Sequence, residues 1–426
     1  MLLYFFLVIT SFWILKPLKK SLFVRFYDTS GFHVAGIALD AAQTELLAKV
    51  ANLVVAGVAV AIFSLLAQRL RRQALSLLFT GFFAFGYLAF RVLLPDAGAG
   101  TVWSFYLFGD LFSTLMVATF FAFLNDSVDA DAARRLYGLI GLGGVLGGVV
   151  GSSVLSVWID ALDVEEWLWV CLGLAAAIAA AALGAAHRSH RLPSHARPRK
   201  SADATRGDER FGGFDAAWRG ARLVARSRYL LSIVCIVALY EVASTLMDFQ
   251  FTSTVAHYLD GEAIGRQFSR VFALTNAASV AVQVFLTGWM MRRFGVGSAL
   301  LVLPAAIFAG STAFLAVPTL WPGSLLNTAD NAFSYSINQS AKEALYVPTG
   351  TEEKYHAKAF IDMFVQRLAK TVAVGMSLAI TARFTDFATV RWLSLLTGAL
   401  LLVWLPAVRY AGRHFRELAS DETGAR

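Results

Sequence analysis

The chain has 426 residues, of which 57% are hydrophobic and only 15% charged, and its mean hydropathy is +0.61. Soluble domains carry roughly 25% charged residues, so composition argues against a water-soluble enzyme or a nucleic-acid-binding protein. The formal net charge of +8 lies mostly in loops, where it orients spans. Cys171 and Cys235 sit far apart inside apolar segments, which leaves no disulfide framework and no metal-ligand spacing.

Crossing a hydrocarbon core of about 30 Å takes roughly 20 apolar residues. Twelve such stretches follow one another, at about 2–24, 44–67, 74–94, 102–124, 136–158, 166–186, 229–251, 268–291, 298–317, 321–347, 357–382 and 390–409. The expected fold is an all-α polytopic membrane protein with twelve transmembrane helices. The first stretch has no basic leader and no small-residue cleavage site, so it reads as a retained helix. It ends in "ILKPLKKSLF", where Pro17 interrupts the helix beside Lys16, Lys19 and Lys20. A proline inside a span frees a carbonyl, as in discontinuous helices that line cavities. Lysines snorkelling at that membrane end would lie on the outer side, against the usual bias, which favours a cavity role for Lys16 and Lys19.

The fourth span carries Asp110. In the fifth, "YGLIGLGGVLGGVVGSSV" sets Gly143, Gly147 and Gly151 four residues apart, with Gly144, Gly148 and Ser152 on the adjacent row. Neither a phosphate-loop string nor the dinucleotide spacing is present, and small residues in this pattern make a close helix-packing face. Residues 187–228 form the one long hydrophilic segment, with eleven Arg and Lys against four acids, and read as a basic cytoplasmic linker and loop. The seventh span places Glu241 and Asp248 on one helical face, and the eighth adds Asn276. These acids fit either counter-ions for lysines or a proton or cation site.

The tenth and eleventh spans are the anomaly. An ionisable side chain at mid-bilayer costs about 2.5–3.5 kcal/mol even on lenient scales, yet residues 327–370 hold Asp330, Lys342, Glu343, Lys358, Asp362, Arg367 and Lys370. At 100° per residue, Asn327, Asn331, Asn338 and Lys342 fall within about 60° of one another, and Tyr335 and Tyr346 widen the stripe to about 100°. Such a stripe suits a water-filled cavity or an interhelical hydrogen-bonded seam, and the added lysine favours the cavity. Lys358 and Asp362, one turn apart, are placed to pair within their helix, with Lys358 a ligand or a surface anchor. Arg367 and Lys370 then seek an anion, either Glu343 or a substrate.

Basic loops put Arg69, Arg71, Arg72, Arg134, Arg135, Arg292, Arg293, Lys354, Arg409, Arg413 and Arg416 on the linker's side. Opposite loops hold Asp28, Asp40, Asp96, Asp160, Asp163, Glu165, Glu166, Asp260 and Glu262. Both termini are therefore expected in the cytoplasm. The second span ends in "AQRLRRQ" and the eighth in "MMRRFG", about 221 residues apart, a weak internal repeat. The plan is 1–186 as an N-terminal six-helix half, 187–228 as linker, 229–412 as a C-terminal half and 413–426 as a tail. It is the parallel-repeat plan of major facilitator transporters, whose substrate binds near the midplane between halves.

The segment "KEALYVPTGTEEKYHAKAFIDMFVQRLAK" resembles the corresponding part of the ATP:ADP antiporter family of plastids and intracellular bacteria. The matching elements are Lys342-Glu343, Tyr346, Pro348, Lys358-Ala359, Asp362, Leu368 and Lys370. "ILKPLKKSL" is similar to the family's basic-x-x-Lys-acid element, which makes Lys19 the counterpart of a lysine important for nucleotide transport. "MDFQF" and "RLYGLIGLGG" extend the resemblance along the chain. Lys20 stands where the family usually has an acid, and the glycine-rich fifth span looks more like the poorly characterised bacterial branch. The resemblance implies exchange of ATP for ADP without hydrolysis, with cations holding phosphates.

The residues thus expected to bind substrate are Lys16, Lys19, Asn331, Tyr335, Asn338, Lys342, Arg367 and Lys370, and the coupling or counter-ion acids are Asp110, Glu241, Asp248, Glu343 and Asp362. No metal, cofactor or catalytic constellation is expected. The expected partners are an anionic small molecule, by the resemblance a nucleotide, and the lipid bilayer, and the chain is expected to work as a monomer in a bacterial inner membrane. Two rival readings stay open, a proton- or cation-coupled permease for another organic anion and a non-transporting membrane subunit.

Overall fold

A computed structural model of the protein describes residues 1–34, 37–127, 130–190, 213–349, 357–383 and 386–424. The middle of the expected linker, residues 191–212, and Lys354 lie outside the described residues. The chain divides into two compact units, Met1–Lys200 with Leu259–Asn276, and Ser201–Tyr258 with Ala277–Arg426.

The first unit begins with α1 (Leu2–Ser30), then α2 (Ala41–Arg69), α3 (Arg72–Leu93), α4 (Ala99–Ser127), α5 (Ala130–Trp158) and α6 (Val164–His190). Pro17 lies inside α1 without ending it, which corrects the expected interruption. Losing one backbone hydrogen bond in the middle of a long helix leaves its other bonds to carry it. Between α1 and α2 an antiparallel hairpin of β1 (Phe32–Val34) and β2 (Ile37–Leu39) pairs Phe32 with Leu39. The all-helical expectation missed it because three-residue strands carry no readable period. Asp40 then starts α2 with a reciprocal cap, its carboxylate accepting from the Gln43 backbone N–H at 2.7 Å.

The second unit holds α7 (Gly213–Arg226), α8 (Arg228–Tyr258), α9 (Glu262–Ala281, its first part in the first unit), a π-helical stretch Val282–Thr287, and α10 (Gly288–Ala316). Next come α11 (Leu320–Phe333), a π stretch Ser334–Asn338, α12 (Gln339–Leu345), α13 (Lys358–Phe360), a π stretch Ile361–Val365, α14 (Gln366–Arg383) and, after a 3-10 turn, α15 (Leu393–Gly424). Helix α7 corrects the reading of 187–228 as loop. Ala, Leu and Arg are strong helix formers, and Val224 on this helix is buried.

Among the described residues nine helical stretches are long and apolar enough to cross a membrane. One of them, Glu262–Ala316, bends at Gly295, whose φ of +80° suits glycine alone, so it holds the eighth and ninth spans. The two remaining spans, residues 320–345 and 358–383, are continuous helical runs of 26 residues, about 39 Å at 1.5 Å per residue. They are less apolar because they carry the charges and, in 320–345, Asn327, Asn331 and Asn338 as well. The chain is thus a helical, twelve-span membrane protein.

Packing repeats between the units. In the first, α1 packs on α4, α5 and α6, and α3 on α4 and α6. In the second, α8 packs on α11, α14 and α15, and α10 on α11 and α15. The glycine face of α5 is where α1 lies. A Cβ at Gly147 would come within 2.5 Å of the Phe6 carbonyl oxygen, and one at Gly151 within 2.5 Å of the Thr10 carbonyl oxygen. Asn276 joins this packing by donating to Ser152 Oγ at 3.3 Å and to the Phe272 carbonyl at 3.0 Å. Exposed Val54, Val58, Ile62 and Leu65 on α2 are the lipid-facing counterpart.

Gly151→Val should lower stability by about 1–3 kcal/mol through overpacking against backbone. Gly173→Ala, where nothing lies within 4 Å, should be neutral or slightly stabilising. Thermal melts in detergent compare the two, and equal effects would refute the packing account.

Candidate functional site

In the first unit, one and a half turns of α1 present three lysines to α2, α4 and the start of α9. Lys19 is only 4% exposed. Its ammonium forms an ion pair with Asp110 on α4 and lies 4.1 Å from the centre of the Tyr106 ring. Its stem fits because residue 109 is glycine, where a Cβ would come within 2.6 Å of Lys19 Cδ. Lys20, also buried, lies 3.7 Å from Glu45 Oε1 and 5.2 Å from the Phe268 ring. Glu45 also forms an ion pair with Lys49 at 2.9 Å and accepts from the Tyr106 hydroxyl at 2.7 Å. Half-buried Lys16 lies over Trp13 and Phe272, 4.6 and 4.9 Å from their ring centres, a stabilising arrangement for a cation.

Among the described residues, four lysines here gather around the carboxylates of Asp110 and Glu45. Because Lys19 and Lys20 are buried, they are not a snorkelling surface cluster. Glu45 and Lys49 were missed as site residues. The readable signal was an acid and a base four apart at the start of an apolar span, a spacing that puts both on one face. Glu45 thus supplies, from another helix, an acid beside Lys20.

In the second unit, Tyr240, Ser244 and Asp248 recur every fourth residue on α8 and form three rungs with the antiparallel α11 and its π stretch. Tyr240 Oη meets Ser334 Oγ at 2.5 Å, Ser244 Oγ donates to Asp330 Oδ2 at 2.7 Å, and Asn327 Nδ2 donates to Asp248 Oδ1 at 3.3 Å. Asn327 therefore belongs to a seam. Asn331 turns back to donate to the Asn327 carbonyl at 2.9 Å. A single 100° wheel does not run through residues 334–338, where the π stretch widens the turn, so the expected continuous polar stripe is broken there. Tyr335 in that stretch is half-exposed, whereas Asn338 is buried and its Oδ1 has no hydrogen-bond partner among the described residues.

The expected pair within the eleventh span is also replaced. Lys358 pairs with Glu343 at 2.5 Å and Asp362 with Lys342 at 3.9 Å, two adjacent crossings between helices. The π stretch that begins at Ile361 spoils the i, i+4 stacking an intrahelical pair needs. Gln366 donates to Asp362 at 3.3 Å, and Lys370 pairs with Glu241 at 3.5 Å. Lys370 thus finds its anion on α8 instead of Glu343. Half-buried Arg367 forms no ion pair among the described residues. Lys342, Lys358, Arg367 and Lys370 are set against Glu241, Asp248, Asp330, Glu343 and Asp362, so this network has no positive excess. Among the described residues no His, Cys, Asp and Glu group is arranged to hold a metal.

Two family models match the chain, Major Facilitator Superfamily over residues 1–341 and TLC ATP/ADP transporter over residues 317–415. ADP,ATP carrier protein 2 of Chlamydia trachomatis is 26% identical over 374 residues, 76% of this chain and 68% of the relative. ADP,ATP carrier protein 2 of Chlamydia pneumoniae is 24% identical over 382 residues, 77% and 70%. The plastidic ATP/ADP-transporter of Solanum tuberosum is 21% identical over 357 residues, 75% and 55%. Among solved structures, a single-site variant of the nucleoside transporter NupG matches at a TM-score of 0.63 and 14% identity over 96% of this chain and 99% of that one. A bacterial homologue of the human lysosomal transporter Spinster matches at 0.59 and 14% over 97% and 98%. At these identities the structures show the fold alone.

The two kinds of ion pair should differ in strength. Lys358 and Glu343 are each about a third or more exposed, so a double-mutant cycle should give no more than about 1 kcal/mol of coupling. Lys19→Ala, which strands Asp110 beside a buried site, should destabilise by about 3 kcal/mol. Detergent melts showing the reverse order would contradict this burial-based ranking.

Proposed function

The chain belongs to the major facilitator superfamily, and on that premise we propose that it exchanges nucleotides of the ATP/ADP kind across a membrane by alternating access, without hydrolysing them. The observation that carries the reading is the cluster of buried and half-buried lysines around Lys19 in the first unit. Several negative charges accompany a nucleotide's phosphates, and compact lysine ammonium groups in a poorly solvated site suit them. The TLC ATP/ADP transporter match and the names of the relatives support a nucleotide as cargo.

Lys16 and Lys19, with Lys20 and Lys49, are the proposed phosphate contacts of the first unit. In the second unit the proposed substrate contacts are Tyr335, Asn338, Arg367, Lys342 and Lys370, while Asn331 serves its own helix. The proposed setting is a bacterial inner membrane with both termini cytoplasmic, supported by the loop charges, and a single chain is proposed as the working unit. A proton- or cation-coupled permease is the second reading, favoured by Asp248 and Asp330 in the α8–α11 seam.

Counter-flow separates these. Proteoliposomes preloaded with ADP should take up labelled ATP several-fold faster than empty ones, whereas uptake driven by a pH gradient and indifferent to preloading would favour the permease. The double variant Lys19→Gln/Asp110→Asn, which removes the lysine without stranding its partner, should lose nucleotide binding while keeping a cooperative melt. Undiminished binding in that variant would rule out Lys19 as a phosphate contact.

A further inference from the structure

We propose that Asp110 is a resident competitor for Lys19: its carboxylate occupies the ammonium position that a substrate phosphate oxygen needs, and so sets how readily a bound anion leaves. This rests on the reading that the first-unit lysines bind phosphate.

Three features of the site lead there. The Asp110 side chain is 23% exposed and that of Lys19 only 4%, so a solute approaching the pair meets the carboxylate before the ammonium. Next, Lys19 has contacts besides Asp110 that hold its place. Its stem lies in the gap left by Gly109, beside Leu15, and its Nζ lies over the Tyr106 ring. Tyr106 is fixed in turn by its hydrogen bond to Glu45. A carboxylate displaced from Lys19 would therefore leave an ammonium still pointing where it does now. Finally, an ammonium has three N–H donors, but a carboxylate in contact with it cancels most of its attraction for a second anion, because Coulomb energies in a poorly solvated site are large.

The functional logic follows from the task of a carrier. Four lysines without resident acids would hold a polyphosphate tightly, and affinity gained in that way appears mainly as slow release. Transport needs binding favourable enough to load and weak enough to unload. Asp110 provides the second condition at the most buried of the proposed ligands. Glu45, shared by Lys20, Lys49 and Tyr106, is engaged by three groups and is less able to yield.

The test measures binding of inorganic pyrophosphate and of ATP to purified protein, and ATP/ADP counter-flow, in wild type, Asp110→Asn and Asp110→Glu. Asp110→Asn keeps the shape and removes the charge. It should bind both probes about tenfold or more tightly, and its maximal exchange rate should fall. Asp110→Glu, which restores a carboxylate, should move affinity back toward wild type. Equal or weaker binding by folded Asp110→Asn overturns the proposal. If Asp110→Asn fails to fold, Asp110→Ser is measured against the same expectation, and failure of both to fold makes Asp110 a structural counter-ion and also overturns it. Absence of pyrophosphate and ATP binding in wild type would instead refute the nucleotide reading.

Discussion

A charge taken out of water inside a bilayer must be met by an opposite charge, a hydrogen-bonding group or an aromatic face, and the polar interior of this protein is organised by that requirement. Lys19 has Asp110 and Tyr106, Lys20 has Glu45 and Phe268, and Lys16 has the rings of Phe12, Trp13 and Phe272. In the second unit Lys342, Lys358 and Lys370 each meet a carboxylate on another helix. These partners come from other helices, so the charges fix which helices lie side by side as well as what they can bind. The glycine face of α5 has the complementary task of letting α1, the helix with the three lysines, approach backbone to backbone.

The two networks differ in balance. The first unit gathers four lysines on two carboxylates, while the second sets four cations against five acids. Among the described residues, the lysine cluster suited to a polyanion is therefore the one around α1. The second unit's carboxylates are largely spent on its own lysines and on the hydroxyl and amide groups of the α8–α11 seam. Three π stretches, at Val282–Thr287, Ser334–Asn338 and Ile361–Val365, fall in this unit. Widened turns of this kind recur at functional sites, and two of them contain Asn338 and Asp362.

Much of this was legible in the residues. Long apolar runs declare spans by length alone, the four-residue glycine spacing declares a packing face, and lysines inside an apolar helix declare a demand for anions. Partner choice was not legible. Lys358 and Asp362 satisfy the helical pairing rule on paper, but a π turn between them leaves Lys358 to Glu343 and Asp362 to Lys342. Asn327 read as a cavity-lining or a seam residue, and only the position of Asp248 decides for the seam. Glu45 was hidden because its partners, Lys20 and Tyr106, are 25 and 61 residues away, and spacing along one helix does not reveal contacts between helices. The β1–β2 hairpin is too short to leave a firm period, whereas α7 has one, with Phe214, Ala217, Trp218, Ala221 and Val224 at helical spacing, hidden in a segment that basic composition marks as linker.

The central claim is that the lysines around Asp110 hold phosphate. Its most direct test is the affinity of the purified protein for adenosine, AMP, ADP and ATP, measured at low and high salt. The account predicts that affinity rises with each phosphate added and that the rise shrinks as salt screens the charges. Equal affinity for adenosine and ATP, unmoved by salt, would contradict it.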